Sequence, residues 1–247
     1  MFEFLKSGKH DTGATTFPFA TDMHSHILPG IDDGAPDIET ALELVKGIYE
    51  LGIRHTVATP HVMCDLYRNT PATIGDALVK LREACAAAGM DITITAAAEY
   101  MLDDYFLQLL HSPVPLLTIH KNIILTEQPF VAQAINLHRM AFEVITNGYR
   151  PIMAHPERYH FYHDDYEAYT HLKDMGFLLQ VNLLSLTGYY GKPVAKAARY
   201  IIATGLADLV GTDMHHPRHL AALKDKKNLQ VFRELLGKKS WNNFDML

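Results

Sequence analysis

The chain has 247 residues, 48% hydrophobic and 20% charged, with a net charge of −6. That length suits one α/β barrel domain, and an acidic balance without a basic run interleaved with aromatics excludes non-specific nucleic-acid binding. Two cysteines, Cys64 and Cys85, make no disulfide framework; with no signal-peptide core in residues 1–20 and no apolar run near the roughly 18 residues of a membrane helix, a cytoplasmic protein is expected.

Strand-like and helix-like segments alternate. Residues 20–25 read as the first strand. Residues 36–50 place Ile38, Ala41, Leu42, Val45 and Ile48 on one helical face, with Pro36 in the first turn and Gly52 as the stop. A second strand over 53–58 precedes a helix over 72–88, which runs through Ile74, Leu78, Leu81 and Cys85 to Gly89. Residues 92–97 are a strand rich in β-branched residues, and 103–111 a short helix. Strands at 122–126, 151–154, 177–182 and 207–211 then alternate with helices at 131–147, 164–175, 193–204 and about 217–236. Seven β-then-α units imply a parallel sheet with right-handed crossovers. A closed barrel is favoured over an open doubly wound sheet, because candidate ligands come from the ends of nearly every strand and not from one switch point.

Those candidates carry the chemistry. In Asp22-Met23-His24-Ser25-His26, the i, i+2 spacing puts both imidazoles on one face of a strand. Thr59-Pro60-His61, Ala98-Glu99-Tyr100, Ala154-His155-Pro156-Glu157-Arg158 and Gly211-Thr212-Asp213-Met214-His215 each close a short apolar run. Asp32 and Asp33 add a carboxylate from the first loop. Seven or eight such ligands exceed what one ion takes and suit two or three divalent ions, with Glu99 as the bridge. His and carboxylate without thiolate fit manganese, iron or zinc.

The combination D-x-H-x-H, T-P-H, a lone Glu, A-H-P-E-R and D-x-H resembles the PHP (polymerase and histidinol phosphatase) superfamily. Asp22 to Gly34, Ala154 to Tyr159 and Val181-Asn182-Leu183-Leu184-Ser185-Leu186 are similar to the bacterial PHP-class tyrosine phosphatases of capsule and exopolysaccharide loci. The resemblance covers about residues 20–235. It implies a distorted TIM-like (β/α)7 barrel, the PHP fold, in a single phosphatase domain over 21–247, with 1–20 as an N-terminal extension. It also implies a trinuclear site: His24, His26, Glu99 and Asp213 on one ion, Glu99 and His155 on a second, Asp33, His61 and His215 on a third, with manganese expected. Thr212 departs from the Ser common before that Asp, and little consequence is expected. Asp22 is expected to orient a ligand imidazole.

Arg158 is the candidate for gripping two phosphoryl oxygens, its alternative being a surface ion pair with Glu157. Arg218 is a second phosphate candidate. The implied activity is hydrolysis of phosphotyrosine by a metal-bound hydroxide, on a substrate such as the tyrosine-rich tail of a bacterial tyrosine autokinase that controls capsule or exopolysaccharide synthesis. A phenol leaves with little protonation, whereas a serine alkoxide needs a strong acid, for which only His215 or a metal-bound water offers itself. A cysteine mechanism is excluded by spacing: the position where it needs an Arg holds Thr70 after Cys64 and Asp91 after Cys85. The alternatives are a histidinol-phosphate or other small phosphomonoester hydrolase, and a non-catalytic metal-binding PHP module. Tyr159 to Tyr162 and Tyr189-Tyr190 are candidates to flank an aromatic ring, or else pack the barrel rim.

Overall fold

A computed structural model describes residues 17, 19–237, 241 and 243. Strands and helices follow in order as β1 (Thr21–Ser25), α1 (Ile38–Glu50), β2 (His55–Ala58), β3 (His61–Val62), α2 (Pro71–Ala87), β4 (Thr93–Ala96), β5 (Glu99–Met101), α3 (Asp104–Leu110), β6 (Ile123–Glu127), α4 (Leu137–Thr146), β7 (Arg150–Ala154), α5 (Glu167–Asp174), β8 (Leu178–Asn182), α6 (Lys192–Ala203), β9 (Leu209–Gly211), α7 (Pro217–Lys224) and α8 (Lys226–Leu236). All strand pairs are parallel. β1-β2-β4 form one sheet and β3-β5-β6-β7-β8-β9 a second.

Among the described residues there are nine strands at seven expected positions, because two of the expected strands continue after a break. β2 stops at Ala58 and the chain resumes as β3 after Thr59-Pro60. β4 stops at Ala96 and resumes as β5 after Ala97-Ala98. Proline cannot donate to a ladder. Each broken strand contributes to both sheets, so Glu99 N–H donates to Pro60 O at 3.0 Å and Ala97 N–H to Ala58 O at 2.8 Å across the gaps. At the other edges, β1 and the end of β9 meet through a parallel bridge, Ser25 to Met214, with Asp213 N–H donating to His24 O and His26 N–H to Met214 O. Met23, Val57, Leu125, Ile152, Leu178 and Leu209, from six strands of both sheets, pack into one buried cluster.

The helices cover the outer faces and start where their caps dictate. Thr70 accepts from Thr73 N–H in a reciprocal capping box, with Pro71 in the first turn of α2. The helix expected from Pro36 starts at Ile38, where Asp37 caps α1 by accepting from Thr40 N–H at 2.8 Å. Two further sequence expectations need correction. The helix expected from 131 begins only at Leu137, because Asn136 takes a left-handed φ of 62° and Gln128 Oε1 ties down Ala134 N–H. The helix expected over 217–236 is two helices: Asp225 is extended and accepts from Lys227 and Asn228 N–H, ending α7 and capping α8.

Phe17 and Phe19, inside the segment set apart as an extension, are buried. They stack at 5.3 Å, and Phe17 meets Phe232 at 5.6 Å. The rest of residues 1–16 and Pro18 lie outside the described residues. No helix among the described residues is long and apolar enough to cross a membrane.

Candidate metal centre

The carboxyl ends of the strand positions bring the eight expected ligand residues to one place. β1 carries His24 and is followed by His26; Asp33 hangs over from the next loop. His61 opens β3 and Glu99 opens β5, side by side in register, and His155 follows β7 while Asp213 and His215 follow β9. All are buried except Asp33, which is half-exposed, and His215, which is partly so. Glu99 sits in the middle. Its Oε2 lies 3.3 Å from His24 Nε2, 3.2 Å from His26 Nε2 and 3.2 Å from His61 Nδ1, and its Oε1 lies 3.1 Å from His155 Nε2. Candidate ligand atoms cluster within 4.8 Å in four sets: His26, Asp33, His61 and His215; His24, His26 and Asp213; His24, Glu99 and His155; His61, Glu99 and Glu127.

Hydrogen bonds orient three of these imidazoles the same way. His24 Nδ1–H donates to Gln180 Oε1 at 2.8 Å, His26 Nδ1–H to Asp32 Oδ2 at 2.8 Å, and His215 Nδ1–H to the Asp213 carbonyl at 2.9 Å. Each Nε2 lone pair is thereby presented to the cluster. His24 Nε2 and His26 Nε2 then face each other at 3.2 Å. Two lone pairs at that distance repel unless a proton or a metal cation lies between them. His61 Nδ1 and Glu127 Oε1 lie 2.8 Å apart without hydrogen-bond alignment, and Glu99 Oε2, both Glu127 oxygens and His155 Nδ1 are buried without a hydrogen-bond partner. Orphaned buried groups of this kind are costly in the absence of a cation to satisfy them. The donor set therefore fits divalent ions.

The electrostatics agree. Burial opposes charging of His26, but Asp32 and Glu99 outweigh it and raise the imidazole to about 10. Burial likewise opposes ionisation of Glu99 and Asp213, yet His24 and other neighbouring cations hold both well below the usual carboxylate range. Burial, reinforced by Glu99, pushes Glu127 up. A cation would replace protons held in this pocket.

Backbone strain and one tight contact shape the cluster. His155 and Asp213 adopt left-handed φ values of 35° and 51°, costly for residues with a Cβ. A Cβ on Gly211 would lie 2.8 Å from the His24 Cβ, so only glycine lets β9 approach this closely.

Arg158 is partnered by Asp213, not by Glu157. Its Nη1 donates to Asp213 Oδ2 at 2.9 Å, beside Asn182 Nδ2, which donates to the same oxygen at 2.6 Å. That leaves Asp213 Oδ1 facing His24, His26 and His215. The guanidinium carbon lies 4.9 Å from the Phe130 ring centroid and 4.5 Å from that of Tyr190. Arg158, Phe130, Tyr190, Asp33 and His219 line a cavity of about 270 Å³, together with His61, Glu127, His155, Asp213 and His215.

The model of the family described as capsular polysaccharide synthesis, CpsB/CapC, matches residues 20–241. The chain belongs to this family. It is 28% identical over 195 residues to the tyrosine-protein phosphatase YwqE of Bacillus subtilis (strain 168), covering 79% of this chain and 77% of the relative. It is also 28% identical to the tyrosine-protein phosphatase CpsB of Streptococcus pneumoniae, covering 79% and 82%. A crystal structure from the pair YwqE and CpsB, described as unique metal-dependent tyrosine phosphatases, superposes with a TM-score of 0.78 at 26% identity, covering 92% of this chain and 90% of that one.

Within this CpsB/CapC chain the sequence reading missed Glu127. The signal was available: Glu127 closes the strand Ile123–Glu127, obeying the same strand-end rule as its neighbours. The role expected of Asp22 belongs to others. Asp22 accepts from the Thr212 N–H and hydroxyl, while Gln180 and Asp32 orient the imidazoles. Serine at position 212 would supply the same hydroxyl. Arg218 is exposed in the first turn of α7 and does not line the cavity. Tyr159 is fully buried, its hydroxyl accepting from Gln128 N–H and donating to the Ala154 carbonyl, so it packs the rim; Tyr190 does line the cavity, and Phe130 lines it unforeseen. Neither cysteine reaches the cavity. Burial pushes Cys85 up to about 11, and Cys64 lies beside Arg68.

Proposed function

We propose that this chain is a metal-dependent protein-tyrosine phosphatase that works in the cytoplasm on the tail of a bacterial tyrosine autokinase and so governs capsule or exopolysaccharide synthesis. The observation that carries the reading is the set of Nε2 atoms and orphaned carboxylate oxygens gathered in one cluster against the cavity that Arg158 lines. The fold reading goes with it. The broken strands shared between the sheets, the bridge from β1 to the end of β9, and the common interior cluster support a single distorted (β/α)7 barrel of the PHP type, one domain that includes Phe17 and Phe19.

His24, His26, Asp33, His61, Glu99, Glu127, His155, Asp213 and His215 would hold two or three divalent ions, manganese, iron or zinc by donor type. Bound there, such ions supply an activated water and neutralise phosphoryl oxygens. The chain's own residues do the rest. Arg158 offers its remaining N–H groups to the phosphoryl oxygens, held in place by Asp213 and the two flanking rings. Gln180, Asp32 and the Asp213 carbonyl keep the imidazoles from rotating. His215 is poorly placed to donate a proton, because its Nδ1–H is committed to the Asp213 carbonyl and its Nε2 faces the cluster. A leaving group that needs no strong acid, a phenolate of pKa near 10, suits the site better than an alkoxide.

The test is metal analysis joined to a substrate panel. Phosphotyrosine peptides should exceed phosphoserine peptides and histidinol phosphate in kcat/KM by at least about tenfold, roughly 1.4 kcal/mol in the transition state. Faster hydrolysis of histidinol phosphate would assign the site to small phosphomonoesters. Stoichiometric metal with no turnover on any phosphomonoester would make it a non-catalytic module.

A further inference from the structure

The segment after β6 leaves the cavity floor at Glu127 and is pinned at both ends by one residue. Gln128 N–H donates to the Tyr159 hydroxyl at 2.8 Å, its Nε2 to the Tyr162 hydroxyl at 2.9 Å, and its Oε1 accepts from Ala134 N–H at 3.1 Å. Between these anchors the loop displays apolar side chains to solvent. Val131 is 92% exposed and Ile135 82% exposed. Exposed apolar residues scattered singly need no explanation, but these two line a continuous groove. It has a volume of about 500 Å³ and runs between this loop, α3 and the start of α4; Leu102, Leu107, Val131, Ile135 and Met140 give it an apolar lining, interspersed with polar residues such as Asp104 and Arg139.

The groove adjoins the cavity. Pro129 and Val131 line the groove, and Phe130 between them lines the cavity over Arg158 and His155. One turn of chain is the shared wall. The cavity also borders Asp33, His216 and His219, which offer polar groups instead.

We propose that the groove receives an apolar residue flanking the phosphotyrosine of the substrate polypeptide, so that the enzyme selects tyrosines with an aliphatic or aromatic neighbour. This rests on the phosphatase reading above. Successive Cα atoms lie 3.8 Å apart, so a side chain within a few positions of a tyrosine held in the cavity spans a wall one residue thick. A second copy of the chain fits less well, because a stable dimer engages about 20–30 residues a side and the groove is lined by 13 residues, eight of them apolar.

The experiment uses the full chain loaded with metal and three substrates: p-nitrophenyl phosphate, a phosphotyrosine peptide with Leu on both sides of the tyrosine, and a matched peptide with Ser there. The Leu peptide should exceed the Ser peptide in kcat/KM by about tenfold, as an apolar pocket discriminates. In the double variant Val131→Ser, Ile135→Ser that ratio should fall towards one through a higher KM for the Leu peptide. p-Nitrophenyl phosphate normalises any loss shared by all substrates, and a thermal melt confirms the fold of this surface variant. A ratio near one in the parent, or one kept by the variant, overturns the groove's role. Loss of a dimer in the variant with the ratio unchanged makes the patch a self-association surface and also overturns it. Hydrolysis of all three substrates without discrimination removes the groove alone, whereas hydrolysis of none removes the phosphatase reading and the groove with it.

Discussion

Arg158 lines the cavity and Glu99 lies buried behind its lining, and their surroundings differ accordingly. Glu99 lies on the floor, fully buried, with four imidazoles at 3.1–3.3 Å. Arg158 lies higher, its side chain 25% exposed, held by one carboxylate oxygen and two aromatic faces. The floor is over-determined. Hydrogen bonds fix the rings, His155 and Asp213 hold strained backbone, and Gly211 leaves no room for a Cβ. On the proposed reading, the floor would hold the ions while Arg158 and the rings beside it would hold the phosphoryl group.

Changes on the floor should therefore cost most. Glu99→Gln keeps the shape but removes the charge that faces four imidazoles. Metal content should fall, and kcat/KM should drop by at least about 1,000-fold, the upper end for a single charge-stabilising group. Elemental analysis beside kinetics decides it; full metal content with near-parent turnover would erase the distinction between floor and wall. Chelation of the parent should reproduce the loss, with recovery on adding a divalent ion.

Arg158→Ala should come next, with turnover down about 100- to 1,000-fold while bound metal is retained. Arg158→Lys should recover only part of it, since an ammonium lacks the planar fork and stacks poorly between Phe130 and Tyr190. If Arg158→Ala also empties the metal site, its bond to Asp213 serves the floor and the two regions are one unit.

The smallest effect is expected outside the cavity. Arg218 is exposed on α7, so Arg218→Ala should stay within about threefold of the parent, far inside the range for a charge-stabilising donor. A loss comparable to that of Arg158→Ala would bring Arg218 into the site in the substrate complex.

Sequence by itself determined the parallel alternation, the seven strand positions and seven residues of the cluster, while the choice of Asp33 over Asp32 came from the family resemblance. These were legible because they are local: i, i+2 spacing on a strand and an acid or imidazole at a strand's end are properties of a few consecutive residues. Glu127 obeyed the same rule and lay outside every motif that drew notice. The short strands β3 and β5 were less legible, because the runs that read as strands end at Ala58 and Ala97, and only pairing with different neighbours makes strands of His61–Val62 and Glu99–Met101. Tertiary structure alone decided which nitrogen of each ring faces the cluster, since that depends on Gln180, Asp32 and a carbonyl brought from elsewhere in the fold. It also decided that Arg158 pairs with Asp213, 55 positions away, and not with its neighbour Glu157, whose carboxylate turns inward to accept from Asn182 N–H. A ligand's type is written in its residue; its protonation, partner and direction are written in the chain that packs against it.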